Sequence, residues 1–153
     1  MSEHLIDYPV VVERFKTLLK ANALKFTKQR ELVLKCLYDH KGHFTPEEIQ
    51  TLIQKQNPTL NVGIATIYRT LALLEEENLA SSLSFGTQGK RYEFGMHQHH
   101  DHLICTQCGT IIEFFDEALE ARQDAIAKEH QFQMQDHTMK IYGICNTCQS
   151  QQR

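Results

Sequence analysis

Apolar and polar residues recur along this chain with two different periods, and the change of period marks its organisation. From Tyr8 to about Asn22, Val11, Phe15, Leu18 and Leu19 fall at helical spacing with Arg14, Lys16 and Lys20 around them. After the connection Leu24-Lys25-Phe26, Thr27 is placed to cap a second helix. Leu32, Val33, Cys36 and Leu37 form its apolar side, and Gly42 is expected to end it. Thr45-Pro46-Glu47-Glu48 combines a capping hydroxyl, a proline in the first turn and an acid three residues after the cap. That pattern predicts a third helix to about Gln56, broken by Asn57-Pro58. Asn61 or a close neighbour caps a fourth, from about Gly63 to Glu77, with Ile64, Ile67, Leu71 and Leu74 on one side.

The period then falls to two. Leu83-Ser84-Phe85 and Arg91-Tyr92-Glu93-Phe94 read as strands joined by Gly86-Thr87-Gln88-Gly89. Helices followed by a basic-tipped hairpin describe a winged helix-turn-helix. Further on, Thr110 to Phe114 reads as a strand and Asp116 to Glu129 as a helix carrying Leu119 and Ile126 inward. His137-Thr138-Met139-Lys140-Ile141-Tyr142 alternates like a last strand. The expected fold is therefore α+β. A winged-helix DNA-binding domain over 1–94 leads through a hinge at 95–99 to a small α/β dimerisation domain over 100–153. That second domain is too small to bury a generous core alone, so a homodimer or a tetramer is expected.

At 153 residues, 41% hydrophobic and 23% charged, the composition is that of a globular protein rather than a disordered or fibrous one. No basic segment followed by an apolar run opens the chain, and no apolar stretch is long enough to span a bilayer. A cytoplasmic protein without a membrane partner is expected, and reduced thiols at Cys-x-x-Cys spacing there favour metal over disulfides. The net charge of −3 divides unevenly, +2 over residues 1–91 and −5 over 92–153. Residues 14–41 alone hold 8 basic and 2 acidic side chains, which suits a polyanion-binding front and a cation-binding back.

Chemistry concentrates in His99-His100-Asp101-His102. In an extended segment His99 and Asp101 serve one face while His100 and His102 serve the other, so one strand can feed two metal sites. Glu120 and His137 are available to the first pair; Glu93, His43 and also Glu113 are candidates for the second. Mixed imidazole and carboxylate donors suit divalent iron, zinc or manganese. Cys105, Cys108, Cys145 and Cys148 form two Cys-x-x-Cys pairs, and four thiolates suit tetrahedral, structural zinc. Cys36, without a ligand-spaced neighbour, reads as a buried hydrophobe.

On a helical wheel of the fourth helix, Arg69 lies opposite the apolar side, with Ala65 and Ala72 beside it and Tyr68 on the flank. Small residues beside Arg and Tyr allow close approach to a major-groove floor, where Arg forks onto guanine and apolar groups meet thymine methyls. An ordinary surface helix with one exposed Arg is the bland alternative. Lys25, Lys28 and Arg30 are candidates for backbone or minor-groove contact.

Asn61-Val62-Gly63-Ile64-Ala65-Thr66-Ile67-Tyr68-Arg69, the His99 to His102 stretch and the two cysteine pairs together resemble the ferric uptake regulator family. The likeness runs from about Leu24 to Cys148. It is strongest to members from epsilon-type bacteria, with their extended N-terminus and four zinc-binding cysteines. The resemblance implies structural zinc on Cys105, Cys108, Cys145 and Cys148. It implies a regulatory metal on His43, Glu93, His100 and His102, with Glu113 sometimes included, and a further metal on His99, Asp101, Glu120 and His137. Ferrous iron would be the co-repressor in the cell, with zinc or manganese able to substitute. Ala65, Thr66, Tyr68 and Arg69 would lie at the bases of an AT-rich, palindromic operator, and Lys25 would enter the minor groove. The genes repressed would be those of iron uptake and iron homeostasis. Peroxide-sensing relatives use aspartates where Glu93 and Glu113 stand, which disfavours that subclass, while a zinc-sensing repressor shares much of the pattern.

Two readings compete from outside this class. A zinc hydrolase needs an open coordination position and a poised base, and no His-Glu-x-x-His or nucleophile motif is present. A metal-storage protein would give Tyr68 and Arg69 no role. His4, His40, His97 and His130 have no assigned partner and are expected to be solvated.

Overall fold

The computed structural model describes residues 6–84, 89–95 and 99–151, which form two compact units divided ahead of His99. His4, His97, Phe85 and the turn residues Gly86, Thr87 and Gln88 lie outside the described residues.

The first unit contains helices α1 (Tyr8–Ala21), α2 (Lys28–Asp39), α3 (Pro46–Gln56) and α4 (Ile64–Glu76), then strands β1 (Ala80–Ser84) and β2 (Lys90–Phe94). Local chemistry starts two of these helices. The Thr27 hydroxyl accepts the Arg30 N–H, and Thr45 with Glu48 forms a complete capping box at α3. One boundary differs from the sequence expectation: helix α2 stops at Asp39, before Gly42. Helix α4 starts where expected, and its cap is the neighbour Gly63 rather than Asn61, without a side-chain hydrogen bond. Instead, Gln29 and Gln50 donate to the Asn61 and Val62 carbonyls at 3.3 and 3.0 Å and hold the segment leading into α4.

The apolar faces of all four helices meet in one core. Val11, Phe15, Val33, Leu34, Leu37, Ile49, Ile67, Leu71 and Leu74 are fully enclosed in it. Strands β1 and β2 pair antiparallel from Ala80↔Phe94 to Ser84↔Lys90 and close that core with Tyr92 and Phe94. Phe44 adds a bridge to Tyr92, with two backbone hydrogen bonds of 2.8 and 2.9 Å. At the base of the hairpin Gly95 passes so close to the chain that a Cβ would sit 2.3 Å from the Asn78 carbonyl oxygen. Only glycine fits there.

The second unit holds β3 (Asp101–Cys105), β4 (Ile111–Phe114), α5 (Glu117–Glu129), β5 (Lys140–Gly143) and α6 (Asn146–Gln151). Its sheet has the order β4-β3-β5, antiparallel between β3 and β4 and parallel between β3 and β5. Asp116 caps α5 by accepting the Leu119 N–H. The expected last strand is shorter than its alternation suggests, and His137 lies before it rather than on it. Nor does α5 carry its apolar residues inward: none is buried, and Ile126 is 42% exposed. Leu103 pairs across the sheet with Ile112 and Ile141, and all three are exposed, which leaves an apolar row on one sheet face. Ile104, Cys105 and Cys148 are the buried apolar residues of this unit. Among the described residues, no helix is long and apolar enough to cross a membrane.

Candidate metal centres and DNA-binding surface

The four cysteines converge at one end of the second unit's sheet, where the parallel strands β3 and β5 both finish. Cys105 ends β3, Cys108 follows in the turn, and Cys145 and Cys148 come from the start of α6. The Cys105–Cys148 and Cys108–Cys145 sulfur distances are 3.9 and 3.7 Å, and all four sulfurs lie within 4.8 Å of one another. A tetrahedron with zinc–sulfur bonds of about 2.3 Å has edges of about 3.8 Å, whereas a disulfide needs about 2.05 Å. All four are free thiols. The turns also favour thiolate. Backbone N–H groups of Cys108 and Cys145 donate to Cys105 Sγ and lower its pKa to about 6. The Thr110 hydroxyl lies 3.0 Å from Cys108 Sγ and lowers that thiol too. Burial, together with the neighbouring thiols, pushes Cys148 up to about 12. Four such groups can all ionise together only around a cation, and the donor set fits structural zinc. Thr110 was not singled out from the sequence; the signal was a hydroxyl two residues after the second cysteine.

His99, Asp101, Glu120 and His137 form a second cluster, with ligand atoms within 4.8 Å of one another. His99 Nε2 lies 3.3 Å from Asp101 Oδ1 and 3.3 Å from Glu120 Oε1, and His137 Nε2 lies 2.8 Å from Glu120 Oε2. Close as they are, Asp101 Oδ1 and Oδ2, Glu120 Oε1, His99 Nε2 and His137 Nε2 are buried and make no hydrogen bond. Asp101 is fully enclosed. An enclosed carboxylate whose oxygens lack hydrogen bonds is costly unless a cation sits against it. These residues therefore fit a divalent ion, with the imidazoles neutral and their Nε2 lone pairs turned inward. Replacing Asp101 by Asn is expected to remove metal from this site, which metal analysis beside the wild type would detect. The variant should be no less stable than the wild type stripped of metal, because an enclosed carboxylate without hydrogen-bond partners is gone.

The remaining predicted ligands are distributed over both units. In the first, His43 Nε2 lies 3.1 Å from Glu93 Oε2. In the second, His100 Nε2 lies 3.6 Å from Glu113 Oε1, and the His100 and His102 rings are 4.7 Å apart. Of the unassigned histidines, His40 is not merely solvated. Its Nδ1 is 2.8 Å from the Cys36 carbonyl oxygen, within the last turn of α2. His130 is exposed at the C-cap of α5.

In the first unit, Ile67, Leu71 and Leu74 are fully buried on one side of α4, while Ala65, Tyr68, Arg69 and Ala72 are exposed on the other and Thr66 is half-buried. Thr66 and Arg69 face Thr27 and Arg30 across a groove of about 470 Å³. Lys25 is exposed just before α2, and the Arg30 guanidinium donates to its carbonyl. Cations and small residues thus share the solvent side of a helix that a winged hairpin follows.

A helix with cations and small residues on its solvent side, in the same chain as three gatherings of metal-ligating side chains, defines a DNA-binding regulator that answers to metal. Residues 21–142 match the ferric uptake regulator family. The chain is 51% identical over 146 residues to the ferric uptake regulation protein of Campylobacter jejuni, covering 95% of this chain and 93% of that one. The solved structure of the Helicobacter pylori ferric uptake regulator, described as having three functional metal-binding sites, superposes with a TM-score of 0.83 at 39% identity. That match covers 96% of this chain and 97% of the other. The regulator from Francisella tularensis, solved with iron, gives a TM-score of 0.69 at 32% identity over 82% of this chain and 95% of that one. The chain belongs to the ferric uptake regulator family and is a metal-responsive, DNA-binding transcriptional regulator of iron uptake. Proteins of this family are transcriptional regulators, not enzymes, and the hydrolase reading falls with that.

Proposed function

We propose that this chain is a cytoplasmic, dimeric repressor of iron-uptake and iron-homeostasis genes, with ferrous iron as its co-repressor. The observation that carries the reading is the incompleteness of two ligand sets. His43 and Glu93 pair within the first unit, and His100, His102 and Glu113 gather in the second. The first unit's two donors are too few to hold a transition-metal ion and the second unit's three leave coordination positions open, whereas five of mixed nitrogen and oxygen type suit iron, zinc or manganese. His43, Glu93, His100, His102 and Glu113 would then hold one regulatory ion jointly. The cysteine site would keep zinc permanently, and His99, Asp101, Glu120 and His137 would bind an additional ion.

Holding one ion from both units fixes the orientation of the DNA-binding unit, and so the separation of two α4 helices in a dimer. A single separation fits half-sites on one face of a duplex, which accounts for a palindromic operator. The exposed row Leu103, Ile112 and Ile141 supports a second copy as the partner of the sheet. Tyr68 and Arg69 would read bases, Ala65 and Thr66 would allow close approach, and Lys25 would enter a narrow, AT-rich minor groove. Replacing Arg69 by Ala is expected to weaken specific binding by about 1–3 kcal/mol and relax sequence preference at the base it reads. A salt-dependent gel shift of the zinc-loaded protein, with and without ferrous iron, tests the whole reading. DNA binding that ignores the added metal would refute it.

A further inference from the structure

Glu47 and Glu48 stand side by side at the start of α3 but do different things. Glu48 closes the capping box, its carboxylate accepting the Thr45 N–H at 3.0 Å. Glu47 turns away and accepts the Tyr68 hydroxyl at 3.0 Å, joining the first turn of α3 to the exposed face of α4 across 21 residues of sequence. Among the described residues no lysine or arginine pairs with Glu47, and the phenol is its one side-chain partner.

We propose that Glu47 is a positioning residue for base reading, holding the Tyr68 phenol in the orientation that α4 presents to DNA. This inference rests on the placement of Tyr68 at bases made above. The charge of Glu47 is the reason a role is required. A carboxylate beside a DNA-facing side chain repels phosphates, so whatever keeps it there must offset a loss in general affinity. Tyr68 is 48% exposed, and the hydrogen bond to Glu47 ties its phenol to α3. A charge-assisted hydrogen bond orders the ring before DNA arrives, so less side-chain freedom is lost on binding. The same hydrogen bond raises the phenol's pKa above its ordinary value.

A merely structural role is available, since an acid in the first turn of α3 also interacts favourably with the helix dipole. The experiment separates the two. Full-length, metal-loaded protein is titrated with a duplex that the wild type selects from a random pool, and with a length-matched scrambled duplex. The readout is the ratio of the two affinities. Glu47→Ala is expected to lower that ratio about fivefold, the effect of one net hydrogen bond. Glu47→Gln removes the charge but keeps an oxygen that accepts, so both affinities should rise while the ratio stays near that of the wild type. In a Tyr68→Phe background, Glu47→Ala should lower the ratio no further. An unchanged ratio for Glu47→Ala, an equal loss for Glu47→Gln, or full additivity with Tyr68→Phe would each overturn the proposal. Tyr68→Ala tells the two readings apart. If it leaves the ratio intact, the base-reading role of Tyr68 fails and this inference with it. If it collapses the ratio while Glu47→Ala does not, this inference alone fails.

Discussion

With zinc on the four cysteines as proposed, serine in place of Cys148 should strip that ion from the second unit and unfold it, while the helical core of the first unit stays folded. The main hydrophobic cluster lies wholly within residues 11–94. The second unit has Ile104, Cys105 and Cys148 as its buried apolar residues, two of them thiols of the metal cluster. An apolar core of that size contributes little, whereas a structural zinc site contributes about 10–16 kcal/mol of apparent binding energy, as much as a whole domain's net stability. Cys148 is buried, so no solvent replaces the lost bond. Zinc analysis and a melt followed by circular dichroism should show metal loss and the disappearance of one of two transitions. Cys36→Ser is the control. Cys36 is buried in the first core and outside any ligand cluster, so that change should cost about 1–3 kcal/mol there and leave zinc content unchanged. Wild-type zinc retention by Cys148→Ser would contradict the account.

Elements whose start and apolar face are set within one or two turns were legible in the sequence. The Thr45–Glu48 box and the Val11, Phe15, Leu18, Leu19 face need no distant information, and the structure carries both. Boundaries set by tertiary packing were not. Alternation over His137 to Tyr142 is a local pattern, but parallel pairing with β3 begins only at Lys140, and what precedes it sets His137 against Glu120 instead. Ile126 illustrates the other limit: an apolar residue at helical spacing marks a face to be covered, without saying whether this chain or another covers it. For the sites, period-two alternation around Asp101 separates odd from even ligands, because the constraint is backbone geometry. The N–H groups on Cys105 Sγ and the Thr110 contact depend on how two turns fold, and Glu47 meets Tyr68 only through the packing of α3 on α4. No local pattern encodes those.

If one ion is shared as proposed, the double variant His43→Ala, His100→Ala should keep its cysteine-bound metal and its fold yet bind operator DNA as weakly with ferrous iron as without it. One proposed ligand is removed from each unit, so neither remaining set would hold the ion alone, while the four cysteines and the Asp101 cluster are untouched. Differential binding sets the size of the effect. An ion that favours the DNA-competent orientation can raise DNA affinity only by the factor by which it prefers that orientation, about 5–150-fold for coupling energies of about 1–3 kcal/mol. The same factor must appear in reverse, so operator DNA should tighten iron binding to the wild type and leave the double variant's residual metal binding unchanged. Measuring both arms closes the thermodynamic cycle. Loss of iron response with an intact melt assigns the effect to the shared ion. Loss of both the response and the second unit's transition would place these histidines in folding instead. A double variant that still gains affinity from iron would show that control lies at another site, and Asp101→Asn, run in parallel, tests whether that site is the His99 cluster.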